Sequence, residues 1–374
     1  MSHSPRLLIA GAALAATALL AGCSSGGAAS STDGSGGSDG AGQKLAMVGL
    51  YAAPYTDGVA DGAKAAADLD GAEFTQYGPV TLDPNKAISD FQNAVAAGAT
   101  GVLVQAFPGD LWVAPIKKAT GVGVTVATSD VPSVGSGALT NVGPQKVAMG
   151  AALADEYIKQ LPEDATGIIV PGICVAGLRS LTAPIEGFTT RMEQERPGID
   201  VIEAEVTAGD PPSNFAAWQR IQAKYPDALG FVGACDQDLT NMVKMKQQAG
   251  GDFLIGVTAG GDDPVAAKSI AGGEMVGAVT QRPWLQGYVG MRLIANTAFR
   301  DAAQPEGWIN TGFDIVTPDN AEEIASLLED PAVAQKTFEA LGDTMVDDAD
   351  ALASEHPVDY LTESDGIDTE NPMP

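Results

Sequence analysis

The residue types that most often carry enzyme chemistry are scarce or badly placed in this chain of 374 residues. Its only histidines are His3 and His356, one near the start and one in the tail. A histidine general base, a Ser-His-Asp triad and a His-rich zinc site therefore lack their central member. From residue 44 onward no Gly-x-Ser-x-Gly elbow and no Walker phosphate loop occurs, the two matches at 22–26 and 36–40 lying in the Gly/Ser-rich stretch ahead of the body. Gly261-Asp262-Asp263 offers a carboxylate pair, as a glycosidase would need. It reads more simply as the solvated start of a helix through Ala266, with Asp263 at the cap. A hydrolase stays as the rival from another class, with little to support it. Binding without turnover is the leading expectation, with no cofactor and no metal.

Charge narrows the partners. With 48 Asp and Glu against 20 Lys and Arg, the net charge of −28 argues against nucleic acid and against docking of the body on anionic lipid. The composition, 45% hydrophobic and 18% charged, is that of a globular protein. Several side chains suit a small hydroxylated guest. Asp130 presents a carboxylate that can take two neighbouring O–H donors, although it can equally serve as the turn residue before Val131-Pro132. Gln105 opens the loop after an apolar stretch and can reach a hydroxyl. Phe107 and Trp112 lie on the same loop; one is expected to cap a ligand while the other is core. Trp218 lies mid-helix among apolar neighbours and reads as core.

These residues hang on an alternating pattern. Strands are expected at 45–50, 100–104, 122–128, 167–170, 201–206, 229–234, 253–257 and 276–280. Helical spacing is seen at 58–69, 85–97, 184–195 and 215–224. Such alternation implies doubly wound α/β parallel sheets, and the strand number favours two similar lobes over one sheet. Ligands of such sheets collect at the carboxyl ends of the strands, so two facing lobes make a cleft. Ahead of the body, Arg6 and the apolar 7–21 form a secretory signal closing on Leu20-Ala21-Gly22-Cys23. This resembles a bacterial lipobox, which implies a signal peptide over 1–22, a lipidated Cys23, a flexible Gly/Ser tether to residue 43 and a place on the outer face of the cytoplasmic membrane.

The body resembles the ribose-type sugar-binding proteins of bacterial ABC importers. The likeness is carried by Tyr51-Ala52-Ala53-Pro54-Tyr55 with Asp61-Gly62-Ala63, by Thr128-Ser129-Asp130-Val131-Pro132, by Glu186-Gly187-Phe188, by Tyr225-Pro226-Asp227 with Ala234-Cys235-Asp236, and by Thr317-Pro318-Asp319-Asn320. It implies a periplasmic-binding-protein-like fold: an N-terminal lobe of 44–142 plus 282–310, a C-terminal lobe of 143–281 plus 311–342, and a hinge of three crossovers. The acidic 343–374 would be a weakly packed tail. The resemblance further implies a monomer that closes on one small solute, such as a sugar or polyol, and hands it to an ABC permease. A ligand-sensing ectodomain is the alternative use of the same fold.

By resemblance, Tyr55 occupies the position of a stacking aromatic, with packing of the first helix as its other reading. Asp236 and Gln281 match acidic and hinge-glutamine positions. Arg179 is placed between a ligand clamp and a surface residue. Ala53, Cys235, Thr258 and Gly209 depart from the family's usual polar or aromatic residues, which suggests a site short of amides and carboxylates and a guest with fewer hydroxyls. Cys174 and Cys235 end the first and third strands of the second lobe, neighbours in such sheets. They are expected either within disulfide range or as buried free thiols.

Overall fold

The computed structural model describes residues 42–329 and 331–354. The signal segment, Cys23 and nearly all of the tether lie outside the described residues, as does the chain after 354.

The first lobe starts with β1 (Lys44–Val48), α1 (Pro54–Leu69), β2 (Glu73–Tyr77), α2 (Pro84–Ala96), β3 (Gly101–Val104), α3 (Gly109–Thr120), β4 (Thr125–Ser129) and β5 (Thr140–Gly143). The chain then crosses into α4 (Lys146–Gln160), β6 (Gly167–Ile173), α5 (Arg179–Glu195), β7 (Ile199–Val201), β8 (Glu205–Val206), α6 (Pro211–Lys224), β9 (Gly230–Gly233), α7 (Asp236–Ala249), β10 (Leu254–Val257), α8 (Pro264–Ala271) and β11 (Gly277–Thr280). It returns through α9 (Pro283–Arg300) and β12 (Gly307–Asn310), and crosses again to β13 (Asp314–Val316) and α10 (Ala321–Glu329). Last come α11 (Pro331–Asp347) and α12 (Ala349–Ser354).

Two sheets result. One is six-stranded in the order β12-β5-β4-β3-β1-β2, parallel throughout. The other is seven-stranded, β13-β11-β10-β9-β6-β7 with β8 also on β6, and only β13 runs antiparallel. Burial of both faces explains the unbroken apolar strands. Along β1, Leu45 and Met47 face α1 and α9, while Ala46 and Val48 face α2 and α3. Along β9, Phe231 and Val232 divide in the same way between two cores.

Each lobe seats one helix pair by backbone contact. A Cβ on Gly62 would stand 1.8 Å from the Trp284 carbonyl, and one on Gly287 1.8 Å from that of Val59, so α1 and α9 cross at van der Waals contact only because both lack it. Gly150 against Pro184 and Gly187 against Val147 do the same for α4 and α5, at 1.7 and 1.9 Å. Gly62 and Gly187 are glycines that carried the sequence resemblance; packing is their physical reason.

The structure differs from expectation in three places. The strand expected at 201–206 is two, β7 and β8, both paired to β6. β2 and β5 had no signal, because β2 is a half-exposed edge and β5 buries the polar Thr140 and Asn141, the latter accepting from Thr128 Oγ1 at 2.9 Å. The C-terminal segment is not a loosely held tail starting at 343. α11 runs through that position and packs on α9 of the first lobe, with Tyr288 Oη donating to Asp343 Oδ1 at 2.8 Å. Met345, Ala349 and Ala353 are buried against Leu285 and Val289. No helix among the described residues is long and apolar enough to cross a membrane.

Candidate functional site

Polar side chains from both sheets gather at the carboxyl ends of the strands, where parallel sheets leave their loops. They enclose an outer chamber of about 500 Å³ and, beneath it, an inner one of about 60 Å³. Ala53, Tyr55, Asp236 and Gln281 border both. The outer volume is that of ordinary small-molecule sites, roughly 300–1,000 Å³.

The first lobe supplies the inner walls. Gln105 follows β3 and is 2% exposed; its Oε1 accepts from Leu50 N at 2.9 Å and Thr56 Oγ1 at 3.2 Å, pinning the β1–α1 loop. Asp130 follows β4 with a φ of 64°, a left-handed conformation that aspartate tolerates better than most residues. Tyr55, at the start of α1, packs on the α1–α9 core and donates its hydroxyl to Gln286 Oε1 at 2.7 Å. Tyr55 thus packs the first helix, its second reading, and also borders both chambers.

The second lobe answers with Asp236 at the start of α7, whose Oδ2 accepts from Tyr55 N at 3.1 Å across the cleft. Burial, together with the charge of Asp262, pushes its pKa up to about 7. The Tyr51 phenol beside it is pushed up to about 12, by burial first and then by Asp236. Behind them Asp238, raised to about 6 by burial, accepts from Asn214 Nδ2 and Trp218 Nε1, both at 2.7 Å, and from the backbone of Ala234 and Cys235. This network holds the β9–α7 turn that presents Asp236. Trp218 itself is fully buried, as expected.

Lys146, in the first turn of α4, had escaped the sequence analysis. It is buried, with Nζ 2.7 Å from Asp130 Oδ1, hydrogen-bonded to Gln281 Oε1 and 5.6 Å from the Tyr55 ring centre. A lysine opening a helix whose next eight residues, 147–154, are all apolar or glycine, just after a lobe crossover, was the available signal. Gln281 also donates to Thr258 O at 3.4 Å, and its own carbonyl accepts from Gln286 Nε2 at 2.7 Å.

Three expected contacts are corrected. Trp112 lies one turn into α3 on its sheet side, fully buried and edge-on to Phe91. Phe107 packs with Leu50, Val131 and the two cysteines in an apolar seam joining the lobes. Neither ring borders a chamber. Arg179 begins α5, and its guanidinium pairs with Glu186 at 2.6 Å; its neighbours Leu178, Ser180 and Leu181 border the inner chamber in its place. Nor is the site short of carboxylates, since Asp130, Asp236, Asp262 and Asp263 all border it. Asp263 is nonetheless the cap of α8, accepting from Val265 N at 2.8 Å.

Cys174 and Cys235 are joined by a disulfide with Cα atoms 6.3 Å apart. Register explains the approach: Gly172 pairs with Gly233 across β6 and β9, and each cysteine lies two residues further on. Arg282, between β11 and α9, forks onto Asp314 at 2.7 and 2.8 Å and donates to Thr311 O at 3.2 Å. It thereby ties two lobe crossovers together.

A family model described as a periplasmic binding protein domain matches residues 46–301. Solved structures with the same fold include a solute-binding protein of an ABC transporter from Burkholderia graminis in complex with D-arabinose (22% identity, 75% of this chain and 97% of that one, TM-score 0.69). Another, from Agrobacterium vitis, is bound with α-D-tagatopyranose (21%, 78% and 98%, 0.67). A third, from Mycobacterium smegmatis, holds glycerol (22%, 75% and 96%, 0.66). At these identities the likeness carries the fold. Among curated proteins no match is found.

Proposed function

We propose a solute-capturing role on one premise: the chain belongs to the periplasmic binding protein family. It works outside the cytoplasm, closing its two lobes on a small polyhydroxylated molecule and delivering it to an ABC importer. The observation that carries this reading is the cleft of about 500 Å³ between the strand ends of two sheets that the chain links by crossovers. Such an architecture closes by hinge motion around a guest, and the closed state is what a transporter can select. Structural relatives that hold arabinose, tagatose or glycerol support a hydroxylated guest.

In this reading Asp130, Lys146 and Gln281 hydrogen-bond hydroxyls, Gln105 offers its amide nitrogen, Asp236 joins the guest to both lobes and Tyr55 lends a ring face. Binding leaves the guest unaltered, as delivery to an importer requires. Lipidation of Cys23 would keep the body at the outer face of the membrane, a monomer beside its permease; labelling with a palmitate analogue in cells carrying wild type or Cys23→Ala checks the anchor. A thermal-shift screen of the purified chain against sugars and polyols tests the reading, because a ligand that binds only the folded state raises the melting point. A hit recovered chemically unchanged upholds it. No shift with any polyhydroxylated compound, or recovery of a converted one, overturns it.

A further inference from the structure

We propose that the guest is a polyhydroxylated ring bearing a protonated amine, with the ammonium in the outer chamber beside Asp236 and Asp262 and the hydroxyls reaching inward. This rests on the solute-binding reading and narrows it. Four helices, α1, α6, α8 and α9, begin at the outer chamber with Pro54, Pro211, Pro264 and Pro283. Helix starts usually attract anions through unsatisfied N–H groups. Here proline removes the first donor each time, and at three of the four an aspartate takes a further one: Asp210 accepts from Ser213 N at 3.0 Å, Asp263 from Val265 N at 2.8 Å and Asp236 from Tyr55 N at 3.1 Å.

No lysine, arginine or histidine borders that chamber, whereas Asp236, Asp262 and Asp263 do. Lys146, the base of the inner chamber, is paired with Asp130, and Arg282 is held by Asp314. Asp262 has no ion-pair partner among the described residues. The upward shifts of Asp236 and Tyr51 reflect the same surplus of negative charge, after burial. Among the described residues no cluster of acids, histidines or cysteines suits a metal ion, which leaves an organic cation. A second demand comes from below. Gln105, 2% exposed, borders the inner chamber with its oxygen bonded and its Nε2 without an acceptor among the described residues; a hydroxyl oxygen of the guest supplies one. Between the two ends the proline faces, Ala53 and Tyr55 offer apolar surface to ring C–H groups.

The test is isothermal titration of the full chain with sets that share a ring and differ from the parent sugar at one substituent: glucosamine, glucose, N-acetylglucosamine and glucuronate, and the galactose counterparts. In at least one set the free amine should bind on the order of tenfold more tightly than its neutral parent and its acetylated form, with the uronate weakest. Asp262→Asn, a change at the exposed rim, should erase most of that preference while leaving the neutral sugar's affinity within about twofold. Neutral sugars binding as well as the amines, or a uronate binding best, would overturn the inference and leave the solute-binding reading standing. Absence of binding by every member overturns the inference, and the wider thermal-shift screen then decides separately whether the solute-binding reading falls too.

Discussion

Lys146 Nζ lies 2.7 Å from Asp130 Oδ1, with both side chains buried, so one ion pair links the first helix of the second lobe to the loop after β4 of the first. Such a pair gains little over apolar packing, but losing one member strands a charge at a cost of about 3–5 kcal/mol. Lys146→Met should therefore destabilise the chain by that amount in urea unfolding. Adding Asp130→Asn, which tolerates the same left-handed backbone, should restore more than half. A double variant no better than the single one would contradict the pairing.

Asp236 carries a pH dependence whose sign is set by its raised pKa. Burial and the charge of Asp262 make the folded state hold a proton up to about pH 7, whereas the unfolded carboxyl releases it near pH 4. The folded state thus binds more protons between these values, and stability falls as pH rises from about 4 to 7, then levels. Asp238 adds a shift of the same sign, ending near 6. Melting curves of wild type and Asp236→Asn over pH 4 to 8 should converge as acidity increases and diverge towards neutrality, the variant being the more stable at pH 7. Parallel curves would rule out a buried, proton-holding Asp236.

The glycine crossings predict steric cost without any loss of contacts. Gly62→Ala and Gly187→Ala place a methyl under 2 Å from a facing carbonyl and should each cost about 1–3 kcal/mol or more by forcing the helices apart. Gly209→Ala meets nothing within 4 Å and should stay within about 0.5 kcal/mol. Chemical denaturation of the three variants side by side checks the contrast.

The disulfide closes a loop spanning 61 positions, for which chain entropy gives about 4 kcal/mol. Replacing Cys174 and Cys235 together by alanine should lower stability by up to that much and leave the lobes folded around their separate cores. Reduced and oxidised wild type unfolding at the same urea concentration would show that the bridge contributes nothing.

Strand and helix alternation was legible because buried parallel strands such as β1 and β9 are apolar on both faces, and the two-lobe fold followed from it. Candidate site residues were legible where one strand end presents one polar side chain: Gln105, Asp130, Asp236 and Gln281 each stand one to three residues past a strand. Trp112 and Phe107 misled because a loop position does not tell which way a ring turns once a helix begins at Gly109. Arg179, open between a clamp and a surface residue, was decided by its helix, which offers it Glu186 two turns along.

Taken alone, the order of residues determined what chemistry was absent and which loops would meet, since both depend on residue type and on local periodicity. Tertiary structure decided the rest: that Lys146 faces Asp130, that four proline-capped helices converge on one chamber, and that the chain beyond Asp343 returns to bury Met345 beside Leu285. Each joins segments far apart in the chain, and contact across that distance is set by packing of whole lobes, which no local pattern encodes.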